Sequence, residues 1–130
     1  MTEEERFEVG MMIRRTVLGD EHVDRAQSRK TVFNADFQDL ITRYAWGEIW
    51  ARPGLARSTR SLLTIALMVA LGRDEELRMH LSAAVRIGVP PAEVRETLLQ
   101  CAIYCGLPAA NHAFQLADEV FSEVDLKPKA

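Results

Sequence analysis

The sequence has 130 residues, a formal net charge of −3, 48% hydrophobic residues and 27% charged residues. This length predicts a single domain over residues 1–130, with a core large enough to need no disulfide or metal. The negative charge argues against nucleic acid as a partner, because no basic face dominates. The longest apolar run, residues 62–71, is about half of the roughly 20 residues that a membrane-spanning helix needs. The N-terminus does not resemble a signal peptide, so we expect a cytoplasmic protein with no membrane partner.

Capping residues, glycines and prolines divide the sequence into helices. Thr2 and Glu5 form a capping box at the start of the first predicted helix. The later boundaries fall at Gly19, Asn34 or Asp36, Pro53-Gly54, Ser58, Gly72, Asp74, Gly88, Pro90-Pro91, Gly106 and Pro108. Between them apolar residues recur at helical spacing, and no segment alternates with period two. The pattern predicts an all-α fold of six or seven helices, with a polar tail from Asp125.

The helix predicted before Pro53 carries both tryptophans and an unusually placed carboxylate. Glu48 falls on an apolar stripe whose predicted core members are Phe37, Leu40, Ile41, Tyr44, Ala45 and Ile49. A carboxylate on a core face must be paired, hydrogen-bonded or neutral, so Glu48 is a candidate functional residue. The alternative is a simple ion pair with Arg52, four residues later. Trp46 and Trp50 lie on the adjoining face, either as packing residues or as pocket walls.

Other polar or aromatic residues in the predicted helices are further candidates for chemistry. His80 lies among apolar positions, where it is either a titratable group of a site or a core histidine bonded to a backbone carbonyl. Arg57 and Arg60 begin the most apolar helix, so an anion there would gain from two guanidinium groups and the helix N-terminus. The alternative for this pair is a solvated helix end. Tyr104 is a packing residue or a pocket wall, and His112 is expected at the surface.

The cysteines and histidines point away from redox and metal chemistry. Cys101 and Cys105 stand four residues apart on one predicted helix, a spacing that predicts free core thiols rather than a disulfide. The histidines at positions 22, 80 and 112 form no His-x-x-x-His or Glu-x-x-His pair, so no metal site is predicted. These residues together predict a pocket with carboxylate-binding arginines, one imidazole and no cofactor.

Four blocks of the sequence carry a resemblance to a known family. They are Leu40-Ile-Thr-Arg-Tyr-Ala-Trp-Gly-Glu-Ile-Trp-Ala-Arg-Pro-Gly-Leu55, Arg60-Ser-Leu-Leu-Thr64, Glu76-Leu-Arg-Met-His80 and Ala102-Ile-Tyr-Cys-Gly-Leu-Pro-Ala-Ala-Asn111. From about Arg6 to Val124 the chain closely resembles the carboxymuconolactone decarboxylase family. The resemblance implies an alkylhydroperoxidase D-like helical bundle that assembles as a trimer or a hexamer, with the site either within one subunit or between two.

The resemblance also implies a reaction on a small dicarboxylate lactone. This is the decarboxylation of 4-carboxymuconolactone to 3-oxoadipate enol-lactone and CO2, without a cofactor, in protocatechuate breakdown through the β-ketoadipate pathway. In such a site His80 would deliver a proton, and Glu48 would orient the imidazole or crowd the departing carboxylate. Arg57 or Arg60 would hold the acetate arm of the substrate. The remaining substrate-binding candidates are Tyr44, Trp46, Trp50 and Tyr104.

Two other functions are weighed against the decarboxylase. Peroxidases of the same fold carry Cys-x-x-Cys-x-x-x-His with an upstream Glu. Placing that histidine on His80 puts Arg73 and Glu76 at the cysteine positions and Ser61 at the glutamate, so the dithiol chemistry is missing. Activity that collapses on thiol alkylation would favour a peroxidase. Ligand binding without CO2 release would favour the remaining alternative, a non-catalytic helical oligomer that binds a metabolite.

Overall fold

The computed structural model of the chain describes residues 1–124. This part contains seven α-helices and one π-helical segment and has no β-strand. In chain order the elements are α1 (Glu3–Leu18), α2 (Asp20–Ser28), α3 (Ala35–Leu40), the π-helical segment (Ile41–Ile49), α4 (Arg57–Leu71), α5 (Asp74–Arg86), α6 (Pro91–Cys105) and α7 (Leu107–Val124). The all-α prediction is confirmed. The polar tail predicted from Asp125 lies outside the described residues.

The helix ends follow the capping chemistry that the sequence predicts. At the start of α1 the Glu5 backbone N–H donates to Thr2 Oγ1 at 3.0 Å, and the Thr2 N–H donates to Glu5 Oε1 at 2.8 Å. This is a complete capping box. At the end of α4 the chain turns through Gly72 at a φ of 71°, which lets the Arg73 N–H donate to the Met68 carbonyl at 3.0 Å. A side chain at that positive φ would be strained, so glycine ends the helix there.

Two predicted helix starts are displaced by one or two residues. α4 begins at Arg57, so Ser58 lies inside its first turn rather than at the N-cap. α5 has Arg73 at the N-cap position, and Asp74 is its first helical residue. An acidic side chain in the first turn still stabilises the helix, because the backbone N–H groups there have no helical partner.

The chain divides into two compact units, residues 1–57 and residues 58–130. In the first unit α1 packs along the π-helical segment, while α2 folds against α1. Its buried apolar side chains are Ile13, Val17, Leu18, Val23 and Trp46. The prediction of one domain over residues 1–130 stays a prediction.

The core stripe predicted for residues 37–49 is wrong. Its large members Phe37, Leu40, Tyr44 and Ile49 are between 40% and 60% exposed. The buried residues of the π-helical segment are Thr42, Trp46 and Gly47. Phe37 and Leu40 are exposed on the regular helix α3. For residues 41–49 the prediction assumed an α-helical repeat, whereas hydrogen bonds in a π-helix run from residue i to residue i+5. The Trp50 N–H accordingly donates to the Ala45 carbonyl at 2.9 Å, and the buried positions recur every four or five residues.

The second unit, described to residue 124, contains α4–α7. Its core forms where α7 packs against α5 and α6, as the apolar stripes of these helices predict. Fully or almost fully buried members are Ile65, Leu77, Leu81, Ala84, Val94, Leu98, Ala113 and Val120. Within the described part of the chain no helix is both long and apolar enough to cross a membrane.

Candidate functional site

The predicted site residues are distributed over both units of the chain. Tyr44, Trp46, Glu48, Trp50 and Arg57 belong to the first unit. Arg60, His80 and Tyr104 belong to the second unit.

Two glycines let α1 and the π-helical segment approach closely. A Cβ built on Gly10 would stand 1.9 Å from the Thr42 carbonyl oxygen, and one built on Gly47 would stand 2.4 Å from the Arg6 carbonyl oxygen. Real side chains do not fit at such distances, so both positions require glycine for this packing. The contact brings the first turns of α1 beside Glu48, the residue after Gly47.

Glu48 is held between two arginines. Arg6 Nη1 of α1 donates a short hydrogen bond to Glu48 Oε1. Arg52 Nη1 donates to Glu48 Oε2 at 3.1 Å. The ion pair with Arg52 that the sequence predicts is therefore present. The second partner of Glu48, Arg6, stands 42 residues away in the sequence and was not predicted. Each carboxylate oxygen has its own guanidinium, which fixes both the position and the plane of the carboxylate.

Tyr44 extends this network to the N-terminus of α1. Its hydroxyl donates to Glu3 Oε1 at 2.5 Å, and the Arg6 guanidinium lies 5.6 Å from the centroid of its ring. Arg6 Nε also lies 3.5 Å from Glu3 Oε2. Tyr44, Glu3, Arg6 and Glu48 thus form a continuous polar chain along the surface of the first unit.

The protonation of this network follows from its contacts. The hydrogen bond from Tyr44 lowers the pKa of Glu3 by more than burial raises it, and the charge of Arg6 lowers it further. The same hydrogen bond raises the pKa of Tyr44, which keeps its hydroxyl protonated. Burial lowers the pKa of Arg6, but its bonds to Glu48 and Glu3 outweigh burial and leave that pKa above its ordinary value. These contacts therefore favour the charged forms of Glu3 and Arg6.

The two tryptophans form one aromatic surface rather than two separate ones. Their ring centroids are 4.8 Å apart and their planes differ by 29°, so the rings stack. Trp46 is buried, whereas Trp50 is half-buried. Trp46 is therefore first a packing residue of the first unit, and Trp50 presents part of its ring for contact.

Sequence reasoning missed a buried arginine in the same unit. Arg14 is only 4% exposed, and it donates to Thr42 Oγ1 at 3.1 Å and to Gln38 Oε1 at 3.2 Å. Burial, with a smaller contribution from the charge of Arg15, lowers the pKa of Arg14. Its position on the buried face of α1, next to Ile13 and four residues after Gly10, is the signal that would have identified it.

His80 is buried in α5 of the second unit. Its exposed fraction is 8%, and its neighbours on the buried face of the helix are Leu77, Leu81 and Ala84. An imidazole in an apolar wall suits a proton donor that is shielded from water, and it suits a structural core histidine equally. The catalytic role of His80 stays a prediction.

The two candidate anion-binding arginines differ in environment. Arg57 is exposed at the first position of α4, and Arg60 is half-buried one turn later. The first turn of a helix presents free backbone N–H groups, which favour a bound carboxylate. The geometry of α4 is therefore compatible with the predicted anion site.

Tyr104 lies on a groove between α4 and α6. The groove has a volume of about 570 Å³, and its lining includes Leu63, Leu67, Tyr104, Cys101 and Cys105. Among the described residues that line it, none is arginine or lysine. Because a dicarboxylate needs a cationic partner, this groove by itself does not form the predicted substrate site. The role of Tyr104 in substrate binding stays a prediction.

The cysteines are free thiols, as their spacing predicts. Cys101 is buried and Cys105 is half-buried. Burial raises the pKa of the Cys101 thiol, and the charge and hydrogen bond of Cys105 raise it further. A thiol with a raised pKa is a poor nucleophile at neutral pH.

His112 is exposed on α7, as predicted, and its Nε2 lies 3.0 Å from Asp74 Oδ2. Among residues 1–124, no three His, Cys, Asp or Glu side chains come together in an arrangement that could hold a metal ion.

Comparison with known proteins identifies the class of the fold. Residues 35–119 match the Carboxymuconolactone decarboxylase family. The chain belongs to this family.

The similarity to individual relatives extends beyond residues 35–119. The chain is 50% identical over 129 residues to 4-carboxymuconolactone decarboxylase of Acinetobacter baylyi, which covers 99% of this chain and 96% of that protein. It is 39% identical over 118 residues to nitrosuccinic acid decarboxylase npaB of Metarhizium robertsii, covering 91% of this chain and 82% of that protein. A 48-residue sequence named 4-carboxymuconolactone decarboxylase from Pseudomonas putida is 50% identical along its whole length, which spans 37% of this chain.

Proposed function

We propose that the protein decarboxylates 4-carboxymuconolactone to 3-oxoadipate enol-lactone and CO2, a step of the β-ketoadipate pathway. The observation that carries this proposal is the 50% identity, over 99% of the chain, to a relative of that name. A second relative, at 39% identity, is named as a decarboxylase of a different acid. The fold is thus associated with loss of CO2 from small acids in two relatives, and the higher identity favours the lactone.

The substrate supplies its own electron sink. When the bond from the ring carbon to its carboxylate breaks, the electron pair moves through the ring double bond onto the lactone carbonyl oxygen. Protonation of the carbon alpha to that carbonyl then gives the enol-lactone. The protein must hold the acetate arm, stabilise the negative oxygen and deliver one proton.

The proposed roles are assigned to side chains by chemistry. His80 is the proton donor, since imidazole is the side chain whose ordinary titration range lies nearest to neutral pH, and the buried position of His80 shields it from water. Arg57 or Arg60 binds the acetate carboxylate at the first turn of α4. The stacked pair Trp46 and Trp50 contributes an aromatic wall.

Glu48 had two proposed roles, and its contacts favour one of them. A carboxylate that crowds the departing group must present an uncompensated negative charge. Glu48 instead has a guanidinium on each oxygen, from Arg6 and Arg52. We therefore favour the orienting role for Glu48, with Tyr44 supporting the network.

A homo-oligomer, either a trimer or a hexamer, is part of the proposal. Its support is the number of large apolar side chains that remain exposed in the second unit: Leu63, Leu67, Leu71, Leu99, Ile103, Tyr104 and Leu107. Leu63, Leu67 and Tyr104 line one groove, and an exposed apolar surface of this kind commonly marks an interface. The cytoplasmic location stays a prediction of the sequence.

The experiment that tests the proposal measures CO2 release from enzymatically generated 4-carboxymuconolactone in metal-free buffer. Wild type is expected to release CO2, and a folded His80→Ala variant to lose at least about 100-fold in kcat, the scale of a positioned general acid. His112→Ala is the matched control, because this exposed histidine contacts Asp74 and is given no role in the reaction. Absence of CO2 release by wild type would overturn the proposed function. Full activity of His80→Ala would show that His80 has a structural role and is not the proton donor.

A further inference from the structure

We propose that Arg6 is a positioning residue for the decarboxylation, acting through the carboxylate of Glu48. The inference rests on the proposed function and on the role of Glu48 in it. Arg6 stands 42 residues before Glu48 and belongs to a different helix, yet its Nη1 donates directly to Glu48 Oε1. Through this contact α1, which lies outside residues 35–119 matched by the family, takes part in the site.

Arg6 is better placed to fix the carboxylate than Arg52, the other partner of Glu48. The Arg6 side chain is 20% exposed, whereas that of Arg52 is 60% exposed. Exposed ion pairs are screened by water and hold their partners weakly. Arg52 also stands only four residues after Glu48, so its bond does not tie Glu48 to another helix, as the bond from Arg6 does.

The guanidinium of Arg6 is itself held on two further sides. Glu3 Oε2 lies 3.5 Å from its Nε, and the Tyr44 ring lies under the guanidinium at 5.6 Å. The Arg6 backbone is fixed as well, because its carbonyl oxygen lies against Gly47 with no room for a Cβ. Because both the backbone and the guanidinium of Arg6 are restrained, Arg6 can fix the orientation of the Glu48 carboxylate as closely as catalysis requires.

Removing the Arg6 guanidinium should therefore lower kcat more than it changes KM. In an Arg6→Gln variant Glu48 keeps Arg52 but loses the bond on Oε1, so the carboxylate can rotate. We expect a loss of about 10-fold to 100-fold in kcat, the range that misplacement by about 1 Å produces, with little change in KM. Arg6→Lys retains the charge but not the planar fork, so it should lose less than Arg6→Gln.

A double-mutant cycle separates positioning from general destabilisation. The variants are Arg6→Gln, Glu48→Gln and the two combined, assayed for CO2 release from 4-carboxymuconolactone at a temperature where circular dichroism shows all of them folded. If Arg6 acts through Glu48, the combined variant loses no more than Glu48→Gln alone. Arg15→Gln is the matched control, since Arg15 lies on the same helix and pairs with Asp20 and Asp24 instead. It should keep the wild-type kcat.

Each outcome decides the inference. Wild-type kcat in Arg6→Gln, or losses that multiply in the combined variant, would overturn it while leaving the decarboxylase assignment intact. An inactive wild type would instead overturn the proposed function. If Arg6→Gln fails to fold, Arg6→Lys carries the same cycle with Glu48→Gln.

Discussion

Gly47 lies so close to Arg6 that a Cβ on this glycine would stand 2.4 Å from the Arg6 carbonyl oxygen. The same helix pair is closer still at Gly10, where a Cβ would stand 1.9 Å from the Thr42 carbonyl oxygen. The lack of a side chain at Gly10 and at Gly47 thus allows α1 to lie this close to the π-helical segment. The contact between Arg6 and Glu48 depends on that distance.

Alanine at either glycine should destabilise the protein. We expect Gly47→Ala and Gly10→Ala to lower the free energy of unfolding by about 1–3 kcal/mol, the usual cost of overpacking, in spite of the better helix propensity of alanine. Urea denaturation followed by tryptophan fluorescence measures this change. Gly54→Ala is the control, because nothing lies within 4 Å of a Cβ at that position. If the free energy of unfolding of Gly47→Ala equals that of wild type, the two helices can move apart without loss of stability and the prediction is wrong.

The hydrogen bond between Tyr44 and Glu3 should give the first unit a measurable dependence on acid. Because Tyr44, with help from Arg6, lowers the pKa of Glu3, the ionised carboxylate favours the folded state. This contribution is complete above the ordinary titration range of Glu, near about pH 4.3, and is lost as the pH falls through the lowered value.

The test compares unfolding free energies at neutral and acidic pH. Wild type should lose more stability than Glu3→Gln on acidification to about pH 3, below the ordinary Glu range. Glu4→Gln removes a charge from the same turn of α1 while leaving the Tyr44 hydrogen bond in place, and it should behave like wild type. Equal acid sensitivity of wild type and Glu3→Gln would contradict the prediction.

The thiols should be dispensable for activity. Burial raises the pKa of Cys101, so this thiol should react slowly with iodoacetamide at neutral pH. A Cys101→Ala/Cys105→Ala variant should retain the wild-type kcat for CO2 release. Loss of activity in a folded variant would point instead to the peroxidase-type chemistry that Arg73 and Glu76 argue against.

Charge on the apolar face of α4 should dissociate the proposed oligomer. Leu63 and Leu67 are half exposed on one face of the helix and line the groove next to Tyr104. Replacing both with lysine would bury two unpaired charges in any interface formed there, which would strongly disfavour association. Size-exclusion chromatography with light scattering should show a smaller species of unchanged helix content. Glu93→Lys, an exposed charge reversal on α6, is the control for net charge. An unchanged mass of the Leu63→Lys/Leu67→Lys variant would place the interface elsewhere.

Local signals in the sequence predicted much of the fold. The capping box at Thr2 and the glycine at position 72 act within one turn of chain, and the structure places helix ends at both. The core of the second unit followed from α-helical spacing because its four helices are regular. By contrast, the core stripe predicted for residues 41–49 was wrong because this segment winds as a π-helix, which no local sequence pattern indicated.

The candidate site was predictable in part for the same reason. The pair between Glu48 and Arg52 is four residues apart and could be read from spacing. The bond from Arg6 crosses 42 residues, and only the packing of α1 reveals it. Arg14 could have been found by the argument that identified Glu48, because it is a charged residue on a buried helical face.

The π-helical segment makes the direction of Glu48 depend on chain length as well as on residue type. Each residue in an α-helix turns the chain by about 100°, so removing one residue between Ile41 and Trp46, with the winding otherwise unchanged, would rotate everything after it by roughly that angle. Glu48 would then leave Arg6, although neither residue had been substituted. A one-residue deletion there is therefore expected to break the contact between α1 and Glu48, whichever residue is lost.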